Sequence, residues 1–197
     1  LKSLIYDYGG GPPLGRRVKA VFSGVSSSVI PRDKLDTPLD FDSMAKISGL
    51  GSAGLIVYDD SACMIKAALN FSKFLATDSC GQCISCKAGT GRITKWLEML
   101  EEGSATEQTV LDILEDCKHI KGQGHCFVVS QESIVISSIF YHFPEEVIEH
   151  VEYGCLNDRH LPLAKIKSFD AATHTFTYDE KYFEKALLEG REVYYPA

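Results

Sequence analysis

The chain has 197 residues, 45% of them hydrophobic, with 27 acidic against 20 basic side chains and a formal charge of −7. That is length enough for one large domain or two small ones, with sufficient apolar residues for a buried core. It argues against a nucleic-acid partner, because phosphate binding needs clustered Lys and Arg and the basic cluster Arg16, Arg17 and Lys19 is short.

Residues 1–9 read as a short helix stopped by the glycines at 9–11, and GGGPPLG as a turn-rich connection. Because the chain opens at Leu1 inside that helix, it is expected to be a piece of a longer polypeptide. VKAVFSG and SSVIP carry the β-branched and aromatic residues of strands between glycine and proline breaks. LDTPLDFDSMAKIS predicts a short helix capped by Asp42, and GLIVYDD, 54–60, another strand. From Ser61 the period becomes helical. Met64, Ala68, Phe71 and Leu75 trace one face, widened by Ile65 and Ala67, and Ile93, Trp96, Leu97 and Leu100 trace the next. Ser104 and Glu107 form a capping-box pattern before a third helix at about 105–119. Residues 130–142 are rich in β-branched side chains, yet a helix is expected there, because Ser130 can cap it and three helices need a partner. Pro144 and two glutamates open a further helix to about His150. In the last 45 or so residues, AKIKSFD and THTFTYD read as a hairpin around Ala171–Ala172, and a helix follows from Asp179 to Gly190.

The strongest chemical signal is SCGQCISC, with Cys80, Cys83 and Cys86 at C-x2-C-x2-C and a fourth thiol at Cys126. Three thiols so spaced can reach one small inorganic core, which points to an iron–sulfur cluster. Zinc remains an alternative, although its ligands usually come as two separated pairs, and a redox disulfide is a third. His125 stands beside Cys126 as a possible substitute ligand. Lys87 follows the third thiol and would offset the charge of a thiolate-bound cluster, unless it is an ordinary exposed lysine. Asp78 and Ser79 read as the end of the preceding helix, and His119 as a cation at a helix C-terminus.

Cys117, in step with Val110, Ile113 and Leu114, reads as a core thiol, and Cys63 as a structural one. Seven cysteines is an odd count, and no signal peptide or membrane-crossing run is read in the chain, so a reducing compartment is expected. GLGSAG, 49–54, matches G-x-G-x-x-G literally, but its glycines precede a strand instead of linking a strand to a helix, so a glycine turn is the better reading. KAGTGR lacks the Lys-Ser/Thr order of a phosphate loop. No catalytic triad or carboxylate pair can be argued from spacing, so no catalytic residue is expected.

DTPLDFDSM, GLGSAGLIVYDD, SCGQCISCKAGTGR, HIKG with the lone Cys126, and FYHFPEEV occur in that order. Together they resemble the C-terminal half of the NADH-binding flavoprotein subunit of complex I and the diaphorase subunits of NAD-linked hydrogenases and formate dehydrogenases. The resemblance covers about residues 1–152. It implies an α+β architecture: a soluble-ligand-binding β-grasp domain at 1–60, a helical bundle at 61–152 that binds one [4Fe–4S] cluster, and a hairpin-helix tail at 153–197. By position, the ligands would be Cys80, Cys83, Cys86 and Cys126. FMN and NAD(H) would belong to an N-terminal domain outside this chain. The chain would act as the electron-relay portion of an NADH dehydrogenase-type oxidoreductase, passing single electrons from FMN to clusters in partner iron–sulfur subunits. It would be cytoplasmic, peripheral on the inner face of a membrane complex and not itself inserted in the membrane. A zinc-stabilised interaction module without redox activity is the alternative. Ser85 and Lys87 replace the family's usual Pro and Arg around the third cysteine, and Phe127, Val128 and Val129 replace a small, glycine-containing stretch after the fourth. Cys155 reads at most as the remnant of a further cluster motif.

Overall fold

A computed structural model of the chain describes residues 1–51, 54–157, 166–173 and 175–178. Residues Leu1–Arg159 form one compact unit and His160–Ala197 a second. The architecture is α+β.

The first unit begins with a wide π-turn at Leu4–Tyr8, closed by the Gly9 N–H donating to the Leu4 carbonyl at 2.9 Å. Gly10 and Gly11 follow with positive φ, which ends the turn where glycine stops were expected. Three antiparallel strands come next: β1 (Val18–Ser23), β2 (Ile30–Pro31) and β3 (Leu55–Asp59), in the order β2-β1-β3. The central β1 is apolar at almost every position and is buried on both faces. Val18, Val21, Ile30, Leu35 and Met44 close a small core with Leu1 and Ile5. The short helix α1 (Phe41–Ala45) is capped by Asp40, whose carboxylate accepts the Ser43 N–H at 2.8 Å. Asp42, the expected cap, lies inside the helix; Asp40 is the residue with extended backbone and its side chain aimed back at the first turn.

The helical part runs α2 (Met64–Thr77), α3 (Gly91–Glu102), α4 (Glu107–Ile120), α5 (Val128–His142) and α6 (Pro144–Tyr153). The predicted α2 stripe of Met64, Ala68, Phe71 and Leu75 is buried throughout, with Ile65 and Ala67 beside it. In α3 the stripe narrows to Ile93, Leu97 and Leu100, and Trp96 is half-buried. In α4, Ile113 and Cys117 are buried while Leu114 faces outward. Burial, then the negative charge of Glu132, pushes the Cys117 thiol up to about 12, so it is an inert core thiol as expected.

The α4 cap differs from expectation. Thr106 caps the helix and Thr109 reciprocates, each hydroxyl accepting the other's backbone N–H, whereas Ser104 and Glu107 fall outside the box. A threonine at both ends performs the exchange usually made by Ser/Thr and Glu/Gln. The β-branched run at 134–136 is helical in α5, because its apolar side chains fill the bundle interior. Ser130 does not cap α5; its hydroxyl accepts the Gly122 N–H at 3.0 Å instead.

Sheet and helices pack on one another. Phe22 of β1 meets Phe71 of α2 at 4.7 Å between ring centres, and Lys19 of β1 pairs with Glu146 of α6 at 2.7 Å. Arg16 reaches Asp60 at 3.7 Å, so two members of the short basic cluster are matched by carboxylates. At the glycine turn before β3, a Cβ on Gly51 would stand 2.7 Å from the Ser23 carbonyl oxygen, so the turn is a packing feature of the sheet. No helix among the described residues is long and apolar enough to cross a membrane.

In the second unit, β4 (Ile166–Asp170) and β5 (Thr175–Tyr178) pair antiparallel as the expected hairpin. The helix expected at 179–190 lies outside the described residues.

Candidate metal centre

Two loops carry the four cysteines. The first leaves α2 where Asp78 donates its N–H to the Phe74 carbonyl. Gly81, at φ +72°, turns the chain back and donates its N–H to the Ser79 hydroxyl at 3.2 Å. The chain then enters a π-turn, Ser85–Thr90, that runs directly into α3. Thr90 Oγ1 donates to the Cys86 carbonyl at 2.7 Å, tying the end of the turn back to its start. The second loop spans residues 121–127, between α4 and α5.

Specific hydrogen bonds hold these loops together across the sequence. Ser85 Oγ donates to the Gln123 carbonyl at 2.8 Å. The His125 N–H donates to Cys83 Sγ at 3.3 Å, linking residues 42 apart. Two glycines make the close approach possible. A Cβ on Gly89 would lie 2.5 Å from Ile120 Cγ2, and one on Gly124 would lie 2.8 Å from Val129 Cγ2. Val129 of the substituted stretch is thus a buried packing partner, while Phe127 projects outward.

Cys86 is 5% exposed, Cys83 is half-buried, and Cys80 and Cys126 are exposed. Burial, chiefly, raises the Cys86 thiol above its usual range; the Ser79 hydroxyl pulls it down, and the charges of Cys126, Cys80 and Cys83 push it up again. The other three sulfurs therefore all bear on the ionisation of Cys86. Ser79, which the sequence suggested only as a helix end, places its Oγ 2.9 Å from Cys86 Sγ. His125 contributes its backbone N–H, and its burial is slight.

The donor set fits an iron–sulfur cluster: four thiols, with an N–H and a hydroxyl directed at sulfur. A cavity of about 790 Å3 elsewhere, lined in part by Lys19, Asp59, Cys63, Glu146 and His150, includes none of the four.

The two remaining thiols are less conventional. Cys63 caps α2, accepting the Lys66 N–H at 3.3 Å, and lies 3.2 Å from His150 Nε2. No spacing argument reaches that contact, because 87 residues separate the pair.

Residues 66–150 match the NADH-ubiquinone oxidoreductase-F iron-sulfur binding region. The chain is 39% identical to the second F-type subunit of the NADH-quinone oxidoreductase of Rhizobium meliloti (strain 1021), over 77% of its own length and 37% of that protein's. It is 32% identical to the F-type subunit of the same enzyme in Mycobacterium tuberculosis (strain ATCC 25618 / H37Rv), over 76% of this chain and 34% of that one. A crystal structure of NAD+-reducing [NiFe]-hydrogenase in the air-oxidized state shares the fold, with a TM-score of 0.65 at 22% identity, covering 81% of this chain and 27% of that one. The chain thus spans a little over a third of the length of these curated relatives. Residues 66–150 thus match the iron–sulfur binding region of the F-type subunits, and across about three-quarters of its length the chain is similar to those subunits of NADH-quinone oxidoreductase.

Proposed function

We propose that the chain is the electron-relay portion of an NADH-oxidising flavoprotein subunit, with Cys80, Cys83, Cys86 and Cys126 as the ligands of one [4Fe–4S] cluster. The observation that carries this reading is the junction of the two cysteine loops, where the His125 N–H meets Cys83 Sγ and the Ser85 hydroxyl meets the Gln123 carbonyl. When bound, such a cluster takes up and returns one electron at a time at a potential set by its surroundings.

The residues of this chain supply placement and tuning. Ser79 Oγ and the His125 N–H direct hydrogen at ligand sulfur, which favours the reduced state and raises the potential. The buried Cys86 anchors the site to the bundle, and the exposed Cys80 and Cys126 give it an outward face for electron exchange. FMN and NAD(H) would be held by the part of the subunit this chain does not span. The partners would be other iron–sulfur subunits of a peripheral, cytoplasmic assembly. The three-stranded unit at 1–60 would be a β-grasp module for docking, beside the cluster-bearing bundle at 61–152 and the tail at 153–197.

The test is anaerobic reconstitution with iron and sulfide. The expected product is brown, holds about four irons and four sulfides per chain, and gives an electron-paramagnetic-resonance signal on reduction. Cys83→Ser should lose that iron. A colourless protein with zinc on these cysteines, or a Cys83→Ser variant with full iron content, would end this reading.

A further inference from the structure

We propose that Cys63, Glu101, His150 and Cys155 form a second metal site, built for one zinc ion, which pins the segment after α6 to the ends of α2 and α3. One ligand atom from each lies within 4.8 Å of all the others. His150 Nε2 stands 3.2 Å from Cys63 Sγ and 3.6 Å from Glu101 Oε1, and Cys63 Sγ stands 3.9 Å from that same oxygen. Tetrahedral zinc, with bonds of about 2.3 Å to sulfur and about 2.0–2.2 Å to nitrogen and oxygen, requires donor separations of about 3.4–3.8 Å. The observed distances bracket that range. Two thiolates, an imidazole and a carboxylate are donors zinc prefers, and four protein donors complete its shell, as in structural sites.

The surroundings are organised for these donors. His150 Nδ1 faces the Glu146 carbonyl at 2.7 Å, which fixes the proton there and leaves the Nε2 lone pair pointing at the cluster. Cys63 sits at the N-terminus of α2, where the Lys66 N–H and the helix dipole favour a thiolate. Lys66 Nζ, 3.8 Å from Glu101 Oε2, offsets part of the negative charge.

Cys155 is delivered by a glycine contact. Gly154, at φ +71°, lies against Gly103; a Cβ on Gly154 would come within 2.8 Å of the Gly103 nitrogen. The Cys155 N–H then donates to the Glu101 carbonyl at 3.0 Å, placing thiol and carboxylate on one side of that junction. Cys63 and His150 are 4% and 3% exposed.

This site shares no residue with the cysteine quartet, and the two are tested separately. The full chain, prepared anaerobically with reductant, should hold one zinc in addition to its cluster iron. Cys155→Ser and His150→Gln should each lower zinc affinity by about 100-fold or more in chelator competition while iron content persists. Cys83→Ser should lose iron and keep zinc. Cobalt(II) loaded into the wild-type chain in place of zinc should give the visible bands of a tetrahedral ion with thiolate charge transfer, a readout that needs no variant. An absence of zinc, zinc content indifferent to both substitutions, octahedral cobalt, or a Cys63–Cys155 disulfide in the anaerobic protein would each overturn the proposal.

Discussion

Glu132 offers the sharpest test of the bundle's energetics. It lies on α5 with no exposed surface, and its Oε1 accepts from Ser72 Oγ of α2 at 2.6 Å. Ser72 Oγ also meets Thr94 Oγ1 of α3 at 2.7 Å, and Thr94 donates to the Thr90 carbonyl at 2.8 Å. Among the described residues, Glu132 Oε2 has no hydrogen-bond partner. Burial, opposed only by the Ser72 hydrogen bond, pushes the carboxyl up to about 7. The protonated acid suits this chain of hydroxyls better than the carboxylate. Its O–H can donate a hydrogen bond to Ser72 Oγ, leaving Ser72 to donate to Thr94 and Thr94 to the Thr90 carbonyl. The folded value lies above the unfolded one, so the native state holds the proton after the unfolded chain has released it. Stability is therefore full below about 4.5 and declines as the pH rises to about 7. At about 1.36 kcal/mol per pH unit, the decline amounts to about 3 kcal/mol. Glu132→Gln mimics the protonated acid, since its amide can donate to Ser72, and removes the titration. Thermal unfolding by circular dichroism from pH 4.5 to 8 should show the variant gaining on the wild type by about 6–12 °C at the upper end, from about 2–4 °C per kcal/mol at this chain length. Parallel curves for the two proteins would refute the reasoning.

Gly89→Ala should disturb the cysteine loop, because the new methyl would meet the buried Ile120 side chain. Overpacking of this kind costs about 1–3 kcal/mol, and iron incorporation should fall with the melting temperature. Thr106→Ala removes one half of the α4 capping box and should cost about 1 kcal/mol by denaturant unfolding, without changing iron content. Gly154→Ala should be more damaging than either, since it forces both a left-handed backbone and a clash with the Gly103 main chain; its expected signature is lower stability together with lost zinc.

Periodicity identified what depends on neighbours in sequence. The α2 stripe of Met64, Ala68, Phe71 and Leu75 and the β-branched α5 were readable because a helix buries one face, and that face repeats. The cysteine spacing pointed to iron–sulfur chemistry with zinc as an alternative, and residues 66–150 match an iron–sulfur binding region. What stayed hidden depends on through-space partners. Asp40 and Thr106 displaced Asp42 and Ser104 as caps because the choice among adjacent polar residues follows backbone angles that spacing does not encode. Ser79 gained a role only when Cys86 was placed beside it. Cys63 read only as a structural thiol because its neighbours, Glu101, His150 and Cys155, come from two remote segments.

The π-turn at Ser85–Thr90 carries one more residue than an α-turn of the same span. It therefore uncouples the angular position of the thiols from that of Ile93, Leu97 and Leu100, the side chains that seat α3. Deleting a single residue, Ala88 for instance, would let the segment tighten and swing Cys86 by about 100° around the axis, away from the opposite loop. Length in this stretch is thus constrained as strictly as composition: a shortened chain could keep every cysteine and every core side chain and still present its sulfurs to the wrong side.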